Sequence, residues 1–400
     1  MYVERLSGEL ARRGHHVTVV YPPDAHRALN GEAGENRENP LVHVHRLRGH
    51  GGVLAPTVTY LTGRPGLRGP ELRRLLEDSE FDVIHFHNVS LVGGPGILGY
   101  GSGVKLYTTH EHWLVCPMHV LWKNNKRPCE RPQCLRCTLA FHRPPQLWRY
   151  GSLLERSARH VDLFLSPSRF TMRMHRERGF DFPMRHLPHF VASGNLDVRP
   201  HERSRPYFLT VGRLERLKGI HTLISAFRAY DAADLLVVGD GAYGDELRRL
   251  ARGLQNVEFV GRRPYEELRS LYAGAVALLQ PSVGYETFGL TAVEGFAEGT
   301  PAIVRDLGAL PEMIEDSRAG FTYTTNDGLI EAMDRVRLDS DLRTVLGRRA
   351  RHAHQELWSE DRHLRSYFEA IDEARDLRTT PDSRKKQQRA SRNERETSER

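Results

Sequence analysis

Four hundred residues exceed what one core usually organises, so two domains of ordinary size are expected and a small disulfide-stapled scaffold is excluded. The formal charge of +7 is the small excess of 58 basic over 51 acidic residues; it suits an anionic partner without choosing among nucleic acid, membrane and phosphorylated substrate. No apolar run approaches the roughly 20 residues of a membrane span, and the N-terminus lacks the plan of a signal peptide. A cytoplasmic protein is expected, touching an anionic membrane only peripherally.

The chain opens on "YVERLSGELARRGHHV", a helix with Gly14 as its C-cap before the strand "HVTVV". A doubly wound domain normally opens on a strand and a Gly-rich turn. Here that strand and turn have no counterpart, so the first domain is expected to lack a central strand and to leave two neighbours without a ladder partner. Further apolar runs follow: "FDVIHFH", "VKLYTTH" and "VDLFLSPS", then "YFLTVGR", "DLLVVGDG", "VEFVG", "AVALLQPS" and "TPAIVRD". Strands buried on both faces read this way, and the stretches between them, such as "ELRRLLEDS" and "GDELRRLARGL", carry helical spacing. The fold class is therefore α/β, with two Rossmann-like doubly wound domains.

Apolar periodicity lapses around "LPHFVASGNLDVRPHERSRPY". The expected division is a first domain over 1–190, a linker over 191–206 and a second domain over 207–358. A C-terminal helix over 359–376 is placed crossing back to the first domain. Residues 377–400 have no large apolar side chain after Leu377 and are expected to form a disordered basic tail.

All four cysteines, Cys116, Cys129, Cys134 and Cys137, fall in one polar, Pro-rich insertion at about 112–145. Cys134 and Cys137 form a CxxC able to clasp one face of a structural zinc, with Cys116 and Cys129 closing the other and His112, His119 and His142 as substitutes. Disulfides, an iron–sulfur cluster and unliganded thiols are the alternatives. A zinc would tie down an insertion that burial alone could not order. A zinc-dependent nucleic-acid module is a rival reading, but the segment has no recognition helix and no aromatic interleaving, and nucleic acid is not the expected partner.

The chemistry points to the second half. In "YETFGLTAVEGFAEGTPAIV", Glu286 and Glu294 stand seven residues apart, a spacing that lets both carboxylates face one cleft and grip vicinal hydroxyls. Phe288, Gly289 and Leu290 between them would offer free N–H groups at a helix start, a seat for phosphate. Arg213 and Lys218 in "VGRLERLKG" follow a strand and could neutralise a diphosphate. Gly239, Gly241 and Gly244 in "VVGDGAYGDELRRL" repeat the strand, turn and helix plan, alone a weak signal.

These motifs, in this order and with "VEFVGRRPYEELRSLYAGAVALLQPS" between them, resemble the retaining, nucleotide-sugar-dependent glycosyltransferases of the family-4 type, which have the two-domain GT-B fold. The resemblance runs from Tyr2 to about Ala374. It implies that Arg213 and Lys218 hold the donor diphosphate, Glu294 the ribose and Glu286 the donor sugar. Gly212, Gly239, Gly241, Phe288, Gly289 and Leu290 would line the phosphates and sugar, and Val260, Gly261 and Arg262 the base. His110 in "LYTTHEHW" would face the sugar from the first domain, with Glu111, His85 and His87 on the acceptor side. The partners implied are a nucleotide-diphosphate sugar and an acceptor hydroxyl of unnamed class, with no metal cofactor for catalysis. A nucleotide-sugar epimerase of the same fold is the alternative enzyme. Where the family has an opening strand and Gly-rich loop, this sequence departs from it, which puts the acceptor side in doubt.

Overall fold

The structure is a computed structural model in which residues 2–23, 39–47, 54–192 and 198–379 are described. Its strands in chain order are β1 (Thr18–Tyr21), β2 (His43–Arg46), β3 (Val83–His87), β4 (Val104–Thr108), β5 (Trp122–Lys123), β6 (Arg127–Pro128), β7 (Leu163–Ser166) and β8 (Met184–His186). The second half adds β9 (Tyr207–Val211), β10 (Asp234–Val238), β11 (Val257–Gly261), β12 (Leu278–Gln280), β13 (Ala302–Arg305) and β14 (Gly320–Tyr323).

Two parallel sheets carry the architecture. The second half forms a six-stranded sheet in the order β11-β10-β9-β12-β13-β14, parallel at each pairing. Every residue of "DLLVV" in β10 is buried, as two-sided coverage by helices requires. One apolar cluster, around Phe208, Leu235, Ile303 and Met333, fills one face; a second, around Leu209, Leu236, Val293 and Phe296, fills the other. The first half forms a parallel sheet in the order β3-β4-β7-β8 and a separate parallel pair β1-β2. Strands β1 and β3 do not pair with each other, and each keeps an edge without a ladder partner among the described residues.

The cysteine insertion leaves the first sheet after β4. It folds as the short antiparallel ribbon β5-β6, whose turn places Asn124 and Asn125 in the left-handed region, and the helix Cys134–Ala140. Asparagine tolerates that conformation because its side chain can bond locally.

After Trp358 the chain turns into the helix Glu360–Thr379, which runs a little past the expected end at 376. Its buried positions Leu364, Tyr367, Ile371 and Ala374 recur at helical spacing and pack on Leu106, Leu163, Leu165 and Leu187 of the first half. The chain's last described element is thus part of the first domain's core. The expected basic tail from 380 onward, and residues 193–197 of the expected linker, lie outside the described residues.

Leu364→Ala should therefore destabilise the first half by about 2–5 kcal/mol, since Leu364 is enclosed on all sides. Urea unfolding followed by fluorescence of Trp113, Trp122 and Trp148 reads this; an unchanged midpoint would show that the helix is not part of that core.

Candidate active site

In a doubly wound sheet, ligands bind where the strand order reverses, outside the carboxyl ends of the strands. Here the reversal lies between β9 and β12. The loop after β9 carries Gly212, Arg213 and Lys218, and the loop after β12 carries Ser282 and Glu286, so residues 68 positions apart meet. Lys218 Nζ donates to Glu286 Oε1 at 2.8 Å and Oε2 at 3.0 Å, and Ser282 Oγ donates to Oε1 at 2.6 Å.

Two glycines make this approach sterically feasible. A Cβ on Gly219, which has φ +72°, would lie 2.0 Å from the Pro281 carbonyl oxygen; one on Gly239 would lie 1.9 Å from that of Gly212. Bare backbone therefore lines the crevice where the loops after β9, β10 and β12 converge.

The helix Leu290–Ala297 starts two residues later than Phe288, with Gly289 as its N-cap and no side chain capping it. The N–H groups of Gly289 and Leu290 have no acceptor among the described residues, so this end keeps its capacity for an anion. Phe288 is instead buried, with its ring 5.3 Å from that of His189. Arg213 is largely exposed and pairs with Glu215 at 2.8 Å rather than with Glu286. Gly261 ends β11, and its carbonyl accepts the Gly239 N–H at 3.0 Å; Val260 packs into the core and Arg262 is exposed.

Glu294 does not share a partner with Glu286. It is buried, its Oε2 accepts the Tyr272 hydroxyl at 2.9 Å, and burial raises its pKa. Arg5, from the opening helix of the first half, stacks 4.8 Å over Tyr265 beside it and opposes that rise. The ribose position implied by sequence is thus closed over by Tyr272 and approached by Arg5 in this conformation.

Across the crevice, the predicted His87 and His110 join His189 in one hydrogen-bonded chain, with the His85 ring packed on His87. His87 Nδ1 and His110 Nε2 lie 2.8 Å apart, His110 Nδ1 and His189 Nε2 3.2 Å, and His85 bonds Thr108 and Tyr367 at 2.8 and 3.1 Å. Tyr2 packs edge-on against His87 and His110. Glu111 points elsewhere, pairing with His119 at 2.7 Å. His189 carries no motif that singles it out in sequence, and its Nδ1 is buried without a partner among the described residues.

The two halves are tied beside this chain. Thr287 Oγ1, next to Glu286, donates to the His110 carbonyl at 2.9 Å, and Thr171 Oγ1 donates to the Thr287 carbonyl at 3.1 Å. Glu312 of the second half accepts the N–H groups of Arg169 and Phe170, capping the helix Arg169–Glu177 of the first half at 2.9 and 2.5 Å. Arg169 also forks onto Asp316 at 3.0 and 2.9 Å. Glu312 and Thr171 escaped sequence reading because their partners lie far away in the chain, and Ser282, four residues from Glu286, because no motif marks it.

Among the described residues no group of three His, Cys, Asp or Glu is arranged to hold a metal ion. The cysteines are nonetheless neighbours: burial raises the thiols of Cys116, Cys129 and Cys134, each further raised by nearby thiols. Cys137 Sγ accepts the Asn124 N–H at 3.3 Å. Arg149 and Arg178 lower the Cys134 thiol, and each has a buried guanidinium nitrogen with no partner among the described residues.

Burial drives His85, His87 and His189 well below the usual imidazole range and His110 and His363 down to about 4. A histidine held neutral in this way contributes stability that is full above its unfolded pKa near 6.5 and is lost as pH falls toward 4, at about 1.4 kcal/mol per pH unit for each group. The raised carboxyls of Glu294 and Glu312 act in the opposite sense, but the histidines outnumber them. The melting temperature should fall steadily from pH 7 to pH 5; a flat or rising profile would contradict the neutral chain.

Residues 1–193 match the model of Glycosyltransferase Family 4, and residues 196–353 match that of Glycosyl transferases group 1. The glycogen synthase of Mycobacterium tuberculosis is 37% identical over 161 residues, 38% of this chain and 38% of that protein. The D-inositol 3-phosphate glycosyltransferase of Corynebacterium jeikeium is 35% identical over 165 residues, 37% of this chain and 39% of that protein. The chain thus spans less than two fifths of the length of these curated relatives. Among solved structures, sucrose-phosphate synthase from Thermosynechococcus elongatus superposes with TM-score 0.69 at 20% identity, covering 91% of this chain and 90% of that one. Anabaena HepE in complex with UDP gives 0.58 at 17% identity, covering 83% and 86%. The fold is GT-B, and with consecutive family models over its two halves the chain belongs to the family-4-type glycosyltransferases.

Proposed function

We propose that the protein transfers a sugar, with retention, from a nucleoside-diphosphate sugar to an acceptor hydroxyl. The observation that carries this reading is the Lys218–Glu286–Ser282 assembly at the switch point, beside an uncapped helix N-terminus and facing His110. HepE is a neighbour in fold whose crystals hold UDP, a leaving group of the class this crevice suits.

Breaking a sugar–phosphate bond leaves an oxocarbenium-like sugar and a diphosphate whose new charge must be met in the transition state. Lys218 supplies a fixed cation, the Gly289 and Leu290 N–H groups a dipole, and exposed Arg213 a second cation that would exchange Glu215 for phosphate. Glu286, with one oxygen held by Ser282, is placed to accept sugar hydroxyls. The neutral His110 chain, with both His110 ring nitrogens held by His87 and His189, sets an uncharged wall beside the sugar and so places no positive charge next to an oxocarbenium ion. The ties through Thr287 and Glu312 hold the two walls of the crevice together. Glu294 is assigned the ribose, with Tyr272 as the group holding it. Catalysis in this account runs on the chain's own cations and dipoles.

Product analysis tests it. The protein given a nucleotide sugar and acceptor should form a new glycoside, and Lys218→Ala or Glu286→Ala should lower turnover by roughly 100-fold or more. Release of free epimerised sugar nucleotide instead would assign the other enzyme of this fold.

For the insertion, a structural zinc on Cys116, Cys129, Cys134 and Cys137 is a separate proposal. Two guanidiniums beside mutually repelling thiols would balance the charge of a tetrathiolate site, although the sulfurs are not gathered into a ligand set here. Elemental analysis of purified protein should find one zinc per chain; its absence, or retention in Cys134→Ser/Cys137→Ser, would overturn the assignment.

A further inference from the structure

Ten large apolar side chains are exposed among the described residues, and seven of them fall in two stretches of the first half: Leu54, Leu61 and Leu67, then Leu135, Leu139, Leu147 and Tyr150. The stretches are neighbours. Trp148 Nε1 donates to the Tyr60 carbonyl at 2.9 Å, and the Tyr60 hydroxyl to the Pro144 carbonyl at 3.0 Å.

The helix Leu54–Thr62 is patterned against water. Thr59 is fully buried, its hydroxyl without a partner among the described residues, while Leu54 at 66% and Leu61 at 45% are exposed. An amphipathic helix in solvent does the reverse. The helix Cys134–Ala140 likewise exposes Leu135 and Leu139, one turn apart on one side, and Leu147 beyond it is 70% exposed.

The charge around this apolar face is strongly biased, with six exposed cations against one exposed carboxylate, Glu130. Arg64, Lys126, Arg127, Arg131, Arg136 and Arg143 are exposed, and no carboxylate pairs with their side chains among the described residues. Exposed apolar side chains interspersed with an excess of cations are the composition of a surface that enters an anionic bilayer interface, whereas a second copy docked on the same face would set like charges against one another.

We propose that the face formed by residues 54–67 and 126–150 docks on an anionic phospholipid bilayer, its leucines entering the acyl boundary and its arginines the headgroup phosphates. The docking itself does not depend on the chemistry proposed above. If that chemistry holds, the acceptor is lipid-borne, because the docking insertion begins directly after His110.

The test is flotation of the full chain with vesicles of phosphatidylcholine alone and of phosphatidylcholine mixed with phosphatidylglycerol. Binding is expected only to the mixed vesicles, weakening as salt is added. Leu61→Glu and Leu139→Glu, on separate helices, should each reduce the bound fraction by roughly tenfold, while Leu338→Glu, exposed on the second half, should leave it unchanged. Circular dichroism melting of the three variants verifies folding. Equal binding to both vesicle types, no binding to either, or binding untouched by both Leu61→Glu and Leu139→Glu would overturn the proposal. So would a dimer in light scattering that the same variants dissociate.

Discussion

A lysine and a glutamate that meet at the carboxyl end of a parallel sheet set the terms for the rest of this molecule. Lys218 and Glu286 are each only partly exposed, and Glu286 carries a third bond from Ser282. Charges at such a site need partners, because removal from water is costly without them. Each partner belongs to a different loop, so the pairing requires the two loops to close on one another. That closure in turn requires Gly219, whose missing side chain makes room for the Pro281 carbonyl. The strand order provides the setting: with β9 central and β12 on its other side, the two loops leave the same edge of the sheet at the point where connections diverge.

The first domain is arranged around this pair by contacts that cross between the halves. The Glu312 carboxylate caps a helix of the opposite half, using free N–H groups that would otherwise call for a local Ser or Asp. Ser168 is indeed the local cap there, bonding the Thr171 N–H, so the helix start is satisfied from both halves at once. Thr287 then links the Glu286 loop to the His110 carbonyl. The consequence is a narrow crevice with an ion pair on one wall and a row of uncharged imidazoles on the other. The C-terminal helix, returning to pack under β4 and β7, fastens the halves a second time.

The sheets were legible in the sequence because fully covered strands are largely apolar, and "DLLVV" and "VKLYT" are so apart from Asp234, Lys105 and Thr108. Lys218 and Glu286 were legible as types suited to diphosphates and hydroxyls, but not as partners, because 68 residues of chain separate them. The histidine row was half legible. His85 within β3, His87 at its end and His110 just after β4 lie in recognisable motifs, whereas His189 follows β8 in an unremarkable "LPHF" and joins only through space. Glu294 shows the limit of spacing arguments: two carboxylates at helical distance can face one cleft, yet one bonds a lysine and a serine while the other lies under Tyr272. The exposed leucines were invisible in advance, since a leucine at helical spacing is read as core until the fold shows which side is out.

The central claim is that the crevice between β9 and β12 holds a nucleoside diphosphate through Lys218. A thermal-shift panel of the common nucleoside diphosphates and their sugars, run on the wild type and on Lys218→Ala, addresses it most directly, because a ligand that binds the folded state raises the melting temperature. The account predicts an upward shift with at least one diphosphate that Lys218→Ala abolishes without lowering its own unliganded melting temperature by more than a few degrees. No shift with any nucleotide, or a shift of equal size in the variant, would contradict it.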